Sequence, residues 1–212
     1  MDAALLQKKI YYGYKQAALR IGPINTIYRP TTALNPLAVV LLTLNASFNA
    51  EDFTYGRPNK YGKPTWFGVF DGGLTKVGDY LIGPQGTFFI AAQQLHLPIL
   101  CVECNRVMDV YRPQQQAGIG AVGYGGDTTA AESLLMQQWP ASVLQGTKGE
   151  KSETALPGDV RMAWWSILMP SWPGVVLRSD DIFTDDLKRR YVVSSAELTD
   201  LGWRITAMQA QT

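Results

Sequence analysis

Apolar and polar residues alternate in two separate stretches of the chain, and the two stretches resemble each other. In residues 79–102 a short strand precedes a Gly-Pro-Gln-Gly turn and a second alternating segment, and residues 181–205 repeat this order around an Asp-Asp turn. Alternation with a period of two is typical of half-buried strands, so the sequence predicts the same β-hairpin module twice. An alignment without gaps places Phe88 on Tyr191, Ile90 on Val193, Leu100 on Trp203 and Val102 on Ile205.

The beginning of the chain has a different period. Leu6, Ile10, Tyr14, Ala17 and Ile21 recur at spacings of three and four, which predicts an amphipathic helix. The Gly-Pro pair that follows predicts its end, with the glycine in the left-handed cap conformation. Such a helix packs on its own sheet or docks onto a neighbouring protein, and the apolar stripe fits both interpretations equally.

The remaining segments contain short apolar runs between turn residues. Residues 37–44 fit a buried strand or a short helix, and residues 131–138 fit two helical turns. A strand over 66–70 precedes Asp71-Gly72-Gly73, which predicts a hairpin turn. Short strands, with helices only at the margins, predict a mainly β fold of two small SH3- or OB-like β-barrel or sandwich modules with an N-terminal α-helix.

This pattern divides the chain into four parts. We expect an N-terminal helix or arm over residues 1–23 and a first β module over 24–113. A Gly- and Gln-rich connection follows over 114–138, and a second β module over 139–212.

Composition narrows the classes of function. Of the 212 residues, 46% are hydrophobic and only 17% are charged, with 6 Trp, 10 Tyr and 7 Phe, a balance that is typical of interface cores. The net charge of +1 provides no global field for nucleic acid or an anionic membrane. No apolar run is long enough to span a bilayer, the first residues do not read as a secretory signal, and two cysteines make no disulfide framework. We expect folding in a reducing cytoplasm, with no membrane or direct nucleic-acid partner.

Two segments match the sequence motif of a functional site but lack the neighbouring residues or elements that such a site requires. Cys101 and Cys104 form a CxxC, but there is no second pair and only one histidine, whereas a structural zinc site needs four ligands. Residues 118–123 match GxGxxG, but no strand directly precedes them and no acid follows about twenty residues on. We interpret the first motif as two unrelated strand cysteines and the second as a flexible glycine loop.

The other candidates for chemistry also have plainer explanations. His96 precedes Leu-Pro in a bend, where a solvent-exposed histidine is ordinary. The acid pairs Asp180-Asp181 and Asp185-Asp186 bracket a turn, where aspartate is favoured for its bonds to the backbone. Trp164, Trp165 and Trp172 could stack on a sugar or a single strand, but without interleaved basic residues they fit a core or a subunit interface better. We therefore predict no catalytic, cofactor or metal site, and hence a protein that is not an enzyme.

Several segments resemble small structural proteins of contractile-tailed bacteriophages and related prophages. The similarity lies in Phe53–Pro58, Ile99–Arg106, Trp139–Gly149, Leu156–Val160 and Asp185–Trp203, and it runs over most of the chain. Within that group the chain most resembles the ripcord-like baseplate proteins, which join the tail tube to the baseplate hub. A neck (head–tail completion) protein is the alternative in the same class, and a cell-wall-binding or cell-wall-degrading tail component is the alternative of another class.

The resemblance implies a virion protein of the tail or baseplate that is assembled in the host cytoplasm and carries no catalytic residues or cofactor. Its implied partners are tube, hub, sheath or tape-measure proteins and further copies of itself in a ring of three- or six-fold symmetry. We expect the helix and the loops at 51–65 and 114–131 to make these contacts. The candidate interface residues are Leu6, Ile10, Tyr14, Tyr55, Arg57, Tyr61, Tyr124 and Trp172.

Overall fold

The computed structural model describes residues 2–50, 62–113, 132–146 and 164–210. Within these ranges the predicted fold class is confirmed: the chain is mainly β, with an N-terminal helix and two small β modules. The elements are α1 (Ala3–Ile21), β1 (Ile24–Tyr28), β2 (Val40–Asn45), β3 (Ser47–Ala50), β4 (Thr65–Val69), β5 (Tyr80–Gly83), β6 (Gly86–Ala92), β7 (Ile99–Cys104), β8 (Arg106–Pro113), β9 (Glu132–Gln145), β10 (Trp164–Met169), β11 (Ile182–Asp185), β12 (Arg190–Thr199) and β13 (Gly202–Gln209).

The helix α1 starts and stops for identifiable reasons. The Asp2 carboxylate accepts a hydrogen bond from the backbone N–H of Ala4 at 3.2 Å, which caps the first turn. The helix ends before Gly22 as predicted, but the predicted left-handed cap is wrong, because Gly22 is extended with φ −96°. Glycine is required there by a close approach instead, since a Cβ atom at Gly22 would stand 2.6 Å from the backbone carbonyl group of Ala46.

The first module is a seven-stranded antiparallel sheet in the order β2-β1-β5-β6-β7-β4-β3. Its two edge strands are consecutive in the chain, because β2 ends at Asn45 and β3 begins at Ser47. One fully buried residue, Ala46, therefore joins the opposite edges, and the sheet must curl round until its edges meet. The enclosed core contains Ile27, Phe48, Phe70, Leu81, Phe88, Ile90, Ile99 and Cys101.

The second module is a closed barrel in the order β10-β13-β12-β11-β8-β9. The long strand β9 closes it, since β9 pairs with β8 over residues 132–141 and with β10 over residues 142–145. The barrel is filled by large side chains that include Trp139, Phe183, Tyr191 and Ile205, each with no exposed surface.

The predicted repeat is confirmed for the hairpin. Leu81 pairs with Phe88 in the first module, and Phe183 pairs with Tyr191 in the second. Both hairpins then carry a β-bulge at the aligned position. The bulges lie between Ile90 and Ala92 and between Val193 and Ser195.

The alignment is wrong by three residues for the third strand. Val102 pairs with Phe89, but the residue that pairs with the corresponding Val192 is Met208 and not Ile205. The reason is the connection: residues 93–98 separate β6 from β7, whereas β12 continues further and turns back through Asp200 and Leu201 alone.

Strand pairing extends the correspondence to the whole module. In each module the first hairpin strand pairs with an earlier strand: β5 pairs with β1, and β11 pairs with β8. Both β1 and β8 lead into the tripeptide Tyr-Arg-Pro. The third strand pairs with β4 or with β10. Asn45 pairs with Ile24 as Pro140 pairs with Val107, so β2 and β3 together correspond to β9. The first module is thus the same barrel with its closing strand interrupted at Ala46.

A buried ion pair occupies the same place in both modules. The guanidinium of Arg29 donates to both carboxylate oxygens of Asp79 at 2.7 and 2.6 Å, and that of Arg112 donates to both oxygens of Asp181 at 2.8 and 2.9 Å. Each carboxylate is only 1% exposed. We call these two pairs the Arg–Asp forks; this two-point geometry is among the strongest that an ion pair can adopt.

The backbone supports both forks identically. The N–H groups of Lys76 and Arg178 donate to Asp79 and Asp181, each at 2.8 Å. The residue before each carboxylate has a positive φ, which is 88° at Gly78 and 71° at Asp180. The N–H of that residue donates to the carbonyl of Ile90 in one module and of Val193 in the other. The forks therefore fix the point at which each hairpin begins.

Several predicted boundaries differ from the observed pairing. The strand β8 lies inside the predicted first module (24–113) but belongs to the barrel, and β9 begins inside the predicted connection (114–138). Asn105 alone separates β7 from β8. The helical alternative for 131–138 is wrong, because its described part, 132–138, lies in β9. The hairpin predicted at Asp71–Gly73 is also wrong, since β4 pairs with β3 and β7 and not with β5.

Removal of either fork arginine should destabilise its own module. Arg29→Ala or Arg112→Ala leaves a buried carboxylate without its cation; because each guanidinium is about one-third exposed, we expect a loss of about 2–3 kcal/mol, below the full cost for a wholly buried pair. Urea denaturation measures the free energy of unfolding.

The matched control is Arg204→Ala, which removes an exposed pair with Glu197 at 3.9 Å and should cost less than about 1 kcal/mol. Equal losses for Arg204→Ala and the two fork variants would contradict a structural role for the forks.

Candidate functional site

The two modules meet through the outer surface of the first one. Tyr80, Phe89 and Val102 point away from the core of their own sheet and belong to the hydrophobic cluster of the second module. The hydroxyl of Tyr80 donates to the carbonyl of Pro140 on β9 at 2.9 Å, and its ring lies 6.2 Å from that of Trp139. We call these three outward side chains the docking face.

The surface that they cover is the outer side of β9. Pro140 and Ser142 point outward there, because Ala141 and Val143 belong to the barrel core, and both are buried in the intact chain. We call Pro140 and Ser142 the receiving strip. The docking face and the receiving strip come from different parts of their modules, so this contact is heterologous.

The segment after β1 strengthens the same contact. The carbonyl of Ala33 accepts hydrogen bonds from the indole Nε1–H of Trp139 at 2.6 Å and from the backbone N–H of Gln137 at 3.0 Å. Leu37 packs on the same cluster. The first module therefore holds the second through two separate segments of its chain.

The second module has a counterpart of the docking face that is only partly exposed. By strand pairing, Ile182, Val192 and Met208 correspond to Tyr80, Phe89 and Val102. Ile182 is buried at 2% exposed, Val192 is half-buried and Met208 is 45% exposed. A cavity of about 500 Å³ opens beside this surface, lined by Val192 together with Arg112, Arg178 and Asp180. The combination of apolar and charged side chains is typical of a protein-contact surface.

The three predicted interface residues on α1 lie on one side of the helix, and only one of them packs closely. Tyr14, with Tyr11, contacts the core of the first module, and burial followed by the nearby Tyr11 raises its pKa. Ile10 is half-buried and Leu6 is 36% exposed. The packed side of the helix overlaps the predicted stripe at Tyr14 and extends beyond it to Tyr11 and the fully buried Ala18.

Trp172 lies in the other module and not beside α1. It is half-buried and packs against the barrel core, with its ring 5.8 Å from that of Trp139. The predicted interface residues Tyr55, Arg57, Tyr61 and Tyr124, and the glycines of 118–123, lie outside the described residues. Among the described residues, the predicted interface residues are thus divided between α1 and the second module.

The two cysteines point to opposite sides of β7, as predicted. Cys101 is enclosed in the core of the first module, Cys104 packs on the cluster shared with the second, and both thiols are free. Burial raises the pKa of both thiols, the opposite of the lowered pKa that activates a cysteine nucleophile.

The predicted turn histidine is confirmed. His96 is exposed between β6 and β7 with φ 64°. Its backbone N–H donates to the Gln7 side chain at 2.6 Å, and its ring Nε2 lies 3.2 Å from the carbonyl of Ala3. The residue therefore links this turn to the beginning of α1.

One acidic residue of the predicted turn is buried at the centre of a polar cluster. Asp185 accepts hydrogen bonds from the Tyr191 hydroxyl at 2.9 Å, the Arg189 guanidinium at 2.9 Å and the Arg189 backbone N–H at 2.8 Å. Burial alone would raise the pKa of Asp185, but these bonds outweigh it and lower the pKa below its ordinary value. Burial, then the Asp185 hydrogen bond and charge, raises the pKa of Tyr191 to about 12. The cluster joins β11 to β12.

Among the described residues, no group of three or more His, Cys, Asp or Glu side chains is placed to hold a metal ion. In the same residues, no helix combines the length and apolarity that a membrane crossing requires.

Comparison of the chain with protein-family models, with curated proteins and with solved structures gives no match. The functional interpretation therefore depends on the residues and contacts of this chain.

Sequence reasoning missed the residues that form the module contact. Tyr80, Pro140 and Ala33 carry no recognised motif, and their roles depend on which side of a strand faces the other module. The recurrence of Tyr-Arg-Pro at residues 28–30 and 111–113 was the available signal, because it marks equivalent strands and both fork arginines.

Tyr191→Phe should alter the pH dependence of stability at both extremes. An aspartate with a lowered folded pKa contributes stability above its unfolded pKa and loses it as pH falls through the folded pKa. The variant removes one bond that lowers the Asp185 pKa, so the folded pKa moves toward the unfolded value. The stability lost in acid should then be smaller, and the loss should be complete at a higher pH. The raised Tyr191 pKa contributes stability below about pH 10 that is lost as pH rises through about 12, and phenylalanine should abolish that alkaline loss.

Urea denaturation from pH 2 to pH 12 tests both effects, with an expected loss of about 1–2 kcal/mol at neutral pH for the missing bond to a charged group. Asp186→Asn, which changes the exposed neighbouring acid, is the control. An unchanged pH profile in Tyr191→Phe would contradict the proposed coupling.

Proposed function

We propose that this chain is a non-enzymatic structural protein of the bacteriophage virion, a tail adaptor that joins the tail tube to the baseplate hub. The observation that carries the proposal is the duplicated β module, whose buried acids are bound by arginines and whose outward side chains Tyr80 and Phe89 pack against the other module. The resemblance of several segments to contractile-tail proteins supports a virion structural role, and within the particle we propose the tail or baseplate.

The placement of charge supports a structural role. Asp79 and Asp181 are bound by the fork arginines, and Asp185 is bound by Arg189 and Tyr191. A pair of glycosidase carboxylates must face a sugar-sized cleft and remain free to exchange protons. Acids that are already saturated with structural hydrogen bonds do not meet this requirement, which argues against a cell-wall-degrading enzyme.

The outward aromatic and apolar residues support protein partners. Tyr80 and Phe89 already bury their rings against another folded module, and further apolar residues are exposed, among them Tyr12 at 63% and Ile24 at 67%. Exposed apolar side chains are expected at protein contact sites where they form a contiguous patch. The proposed partners are tube, hub, sheath or tape-measure proteins and further copies of the chain in a ring of three- or six-fold symmetry.

The position in the virion is tested by labelling. We expect an epitope inserted at the exposed turn of Leu201 to be labelled by immunogold at the baseplate end of the tail in electron micrographs, with untagged particles as the control. Label at the junction of head and tail would favour the neck alternative. Absence of the chain from purified particles by mass spectrometry would overturn the proposal.

The alternative of another class needs a separate assay. Purified chain incubated with cell-wall peptidoglycan should give no clearing in a zymogram, with lysozyme as the positive control. Clearing that is lost in Asp180→Asn or Asp186→Asn, the two exposed acids of the turn region, would replace the adaptor proposal with an enzymatic one.

A further inference from the structure

The side of α1 that faces away from the first module carries a row of apolar side chains. Leu5, Tyr12 and Leu19 are 48%, 63% and 56% exposed. Each lies about two helical turns after the one before, so the three form a single row about 21 Å long. Tyr14 and the fully buried Ala18 pack towards the module from another side of the helix. We call Leu5, Tyr12 and Leu19 the apolar row.

Positive charge is concentrated on the same helix. α1 contains four basic residues and no acidic one, whereas the whole chain has a net charge of +1, so the helix supplies +4 and the rest of the chain −3. Lys15 pairs with Asp71 at 3.5 Å. In the described parts of the chain, no carboxylate is paired with Lys8, Lys9 or Arg20.

These bases stand beside the apolar row. With about 3.6 residues per turn, Lys8 and Lys15 lie along one side of the row, and Lys9 and Arg20 lie along the other. All four are exposed. The row is therefore one residue wide and has positive charge on both sides. We call Lys8, Lys9 and Arg20 the flanking bases, since Lys15 already has a partner.

A groove continues the apolar row at its C-terminal end. It has a volume of about 230 Å³ and lies between α1, β2 and the segment after β4. Leu19, Leu44 and Leu74 are among its lining residues, and Leu74 is 48% exposed. Side chains of a partner that lies along α1 can enter this groove beside Leu19, which extends the apolar contact beyond the row.

We propose that this side of α1 binds an acidic amphipathic helix of a partner protein, with its apolar side chains on the apolar row and its carboxylates beside the flanking bases. A narrow apolar seam between charged positions is the surface through which two helices pack side by side, and the charges select the partner. Because the flanking bases are all positive, the complementary helix is acidic. The inference deepens the proposed function: it rests on the chain joining other proteins, and it states the chemistry of one of them.

Other occupants fit this side of α1 less well. The same helix of a second copy would bring like charges together, which opposes pairing. A helix that lies in a membrane surface has a wide apolar side and carries its bases on the other side, whereas here the bases adjoin a row one residue wide. Nucleic acid would bind the bases through its phosphates and leave the apolar row without a partner.

The binding test uses the purified full chain and a synthetic helix. The probe is a fluorescently labelled peptide of about four heptads, with leucine at the first and fourth positions and glutamate at the positions that flank them. A scrambled peptide of the same composition is the control. By fluorescence anisotropy at low salt, we expect the heptad peptide to bind at least about tenfold more tightly than the scrambled one, and added salt should weaken the binding. Equal affinity for the two peptides, or no binding of either, would overturn the proposal.

Neutral substitutions test the flanking bases. The double variant Lys8→Gln with Lys9→Gln should bind the heptad peptide about tenfold more weakly, the combined effect of two exposed ion pairs. Arg178→Gln with Lys188→Gln is the matched control, because both residues are exposed and lie outside α1, and it should keep the wild-type affinity. Glutamine is a good helix former, so α1 should persist, and far-UV circular dichroism checks this. Equal weakening in the two double variants would contradict the assignment to α1.

Truncation of the leucines tests the apolar row. Leu5→Ala with Leu19→Ala should also weaken binding about tenfold, because two apolar contacts are lost while the charge is unchanged. The control is Leu187→Ala with Leu198→Ala, two leucines of the second module that are 56% and 57% exposed, and it should bind as the wild type does. An unchanged affinity in the Leu5 and Leu19 variant would reduce the contact to attraction between charges and overturn the proposed helix packing.

Two further measurements separate the other occupants. Co-sedimentation with phosphatidylglycerol vesicles that is lost in the Lys8 and Lys9 variant would assign this side of α1 to a membrane. Self-association in analytical ultracentrifugation that is lost in the same variant would assign it to a second copy. Either result without binding of the heptad peptide would replace the proposal. These outcomes are distinct from failure of the virion proposal, since a chain absent from particles can still bind the peptide.

Discussion

Both modules depend on one interaction, the fork in which an arginine from one strand binds the carboxylate that begins the neighbouring hairpin. Asp79 and Asp181 are almost fully buried, and a carboxylate in that position is costly unless both of its oxygens are bonded. The guanidinium and a backbone N–H together satisfy them. Because each arginine directly follows a paired strand tyrosine, the fork allows only one register of β1 against β5 and of β8 against β11. Every later strand is positioned from that register.

With the register set, the two copies fill their interiors differently. In the first module Gly83 leaves space for the buried Asn25, since a Cβ atom at Gly83 would stand 2.0 Å from the Asn25 side-chain oxygen. The corresponding residue in the second module is Asp185, which forms a cluster with Tyr191 and Arg189. This cluster joins the two hairpin strands β11 and β12. In the first module the equivalent strands meet through apolar contacts such as that of Leu81 with Phe88. The first module also has α1 packed against its core, so the same topology is completed once by a helix and once by a buried polar cluster.

The sequence was sufficient to predict the strands in which apolar and polar residues alternate without interruption. Where a bulge interrupts this alternation, the predicted secondary structure or register was wrong. From Phe88 and from Tyr191 to the bulges the second hairpin strands have the same length, so an alignment without gaps predicts this stretch correctly. The turn before Tyr191 is one residue longer than the turn before Phe88. In β9, Met136 and Trp139 both face the core although they are three residues apart, because Gln138 adopts φ 59° between them. A spacing of three is typical of a helix, and the residues therefore read as helical turns. The contact between the modules could not be predicted from a local sequence pattern. Tyr80 and Leu81 both have large, mainly apolar side chains, and only the tertiary structure shows which of them faces outward.

The independence of the two sides of a strand explains how a duplicated module can serve assembly. Inward residues such as Leu81 and Phe183 are constrained by core packing, and the fork residues are constrained by the strand register. Both modules therefore have apolar residues at the inward positions and an Arg–Asp pair at the fork. Outward residues carry neither constraint: Tyr80 corresponds to Ile182, and Phe89 to Val192. These positions can diverge to suit different neighbours while the barrel stays intact. Chemistry would instead require ionisable groups that converge on a cleft, and here the buried acids Asp79, Asp181 and Asp185 are used to hold strands together. A fold that uses its charge for register and its apolar outer sides for contact is suited to assembly.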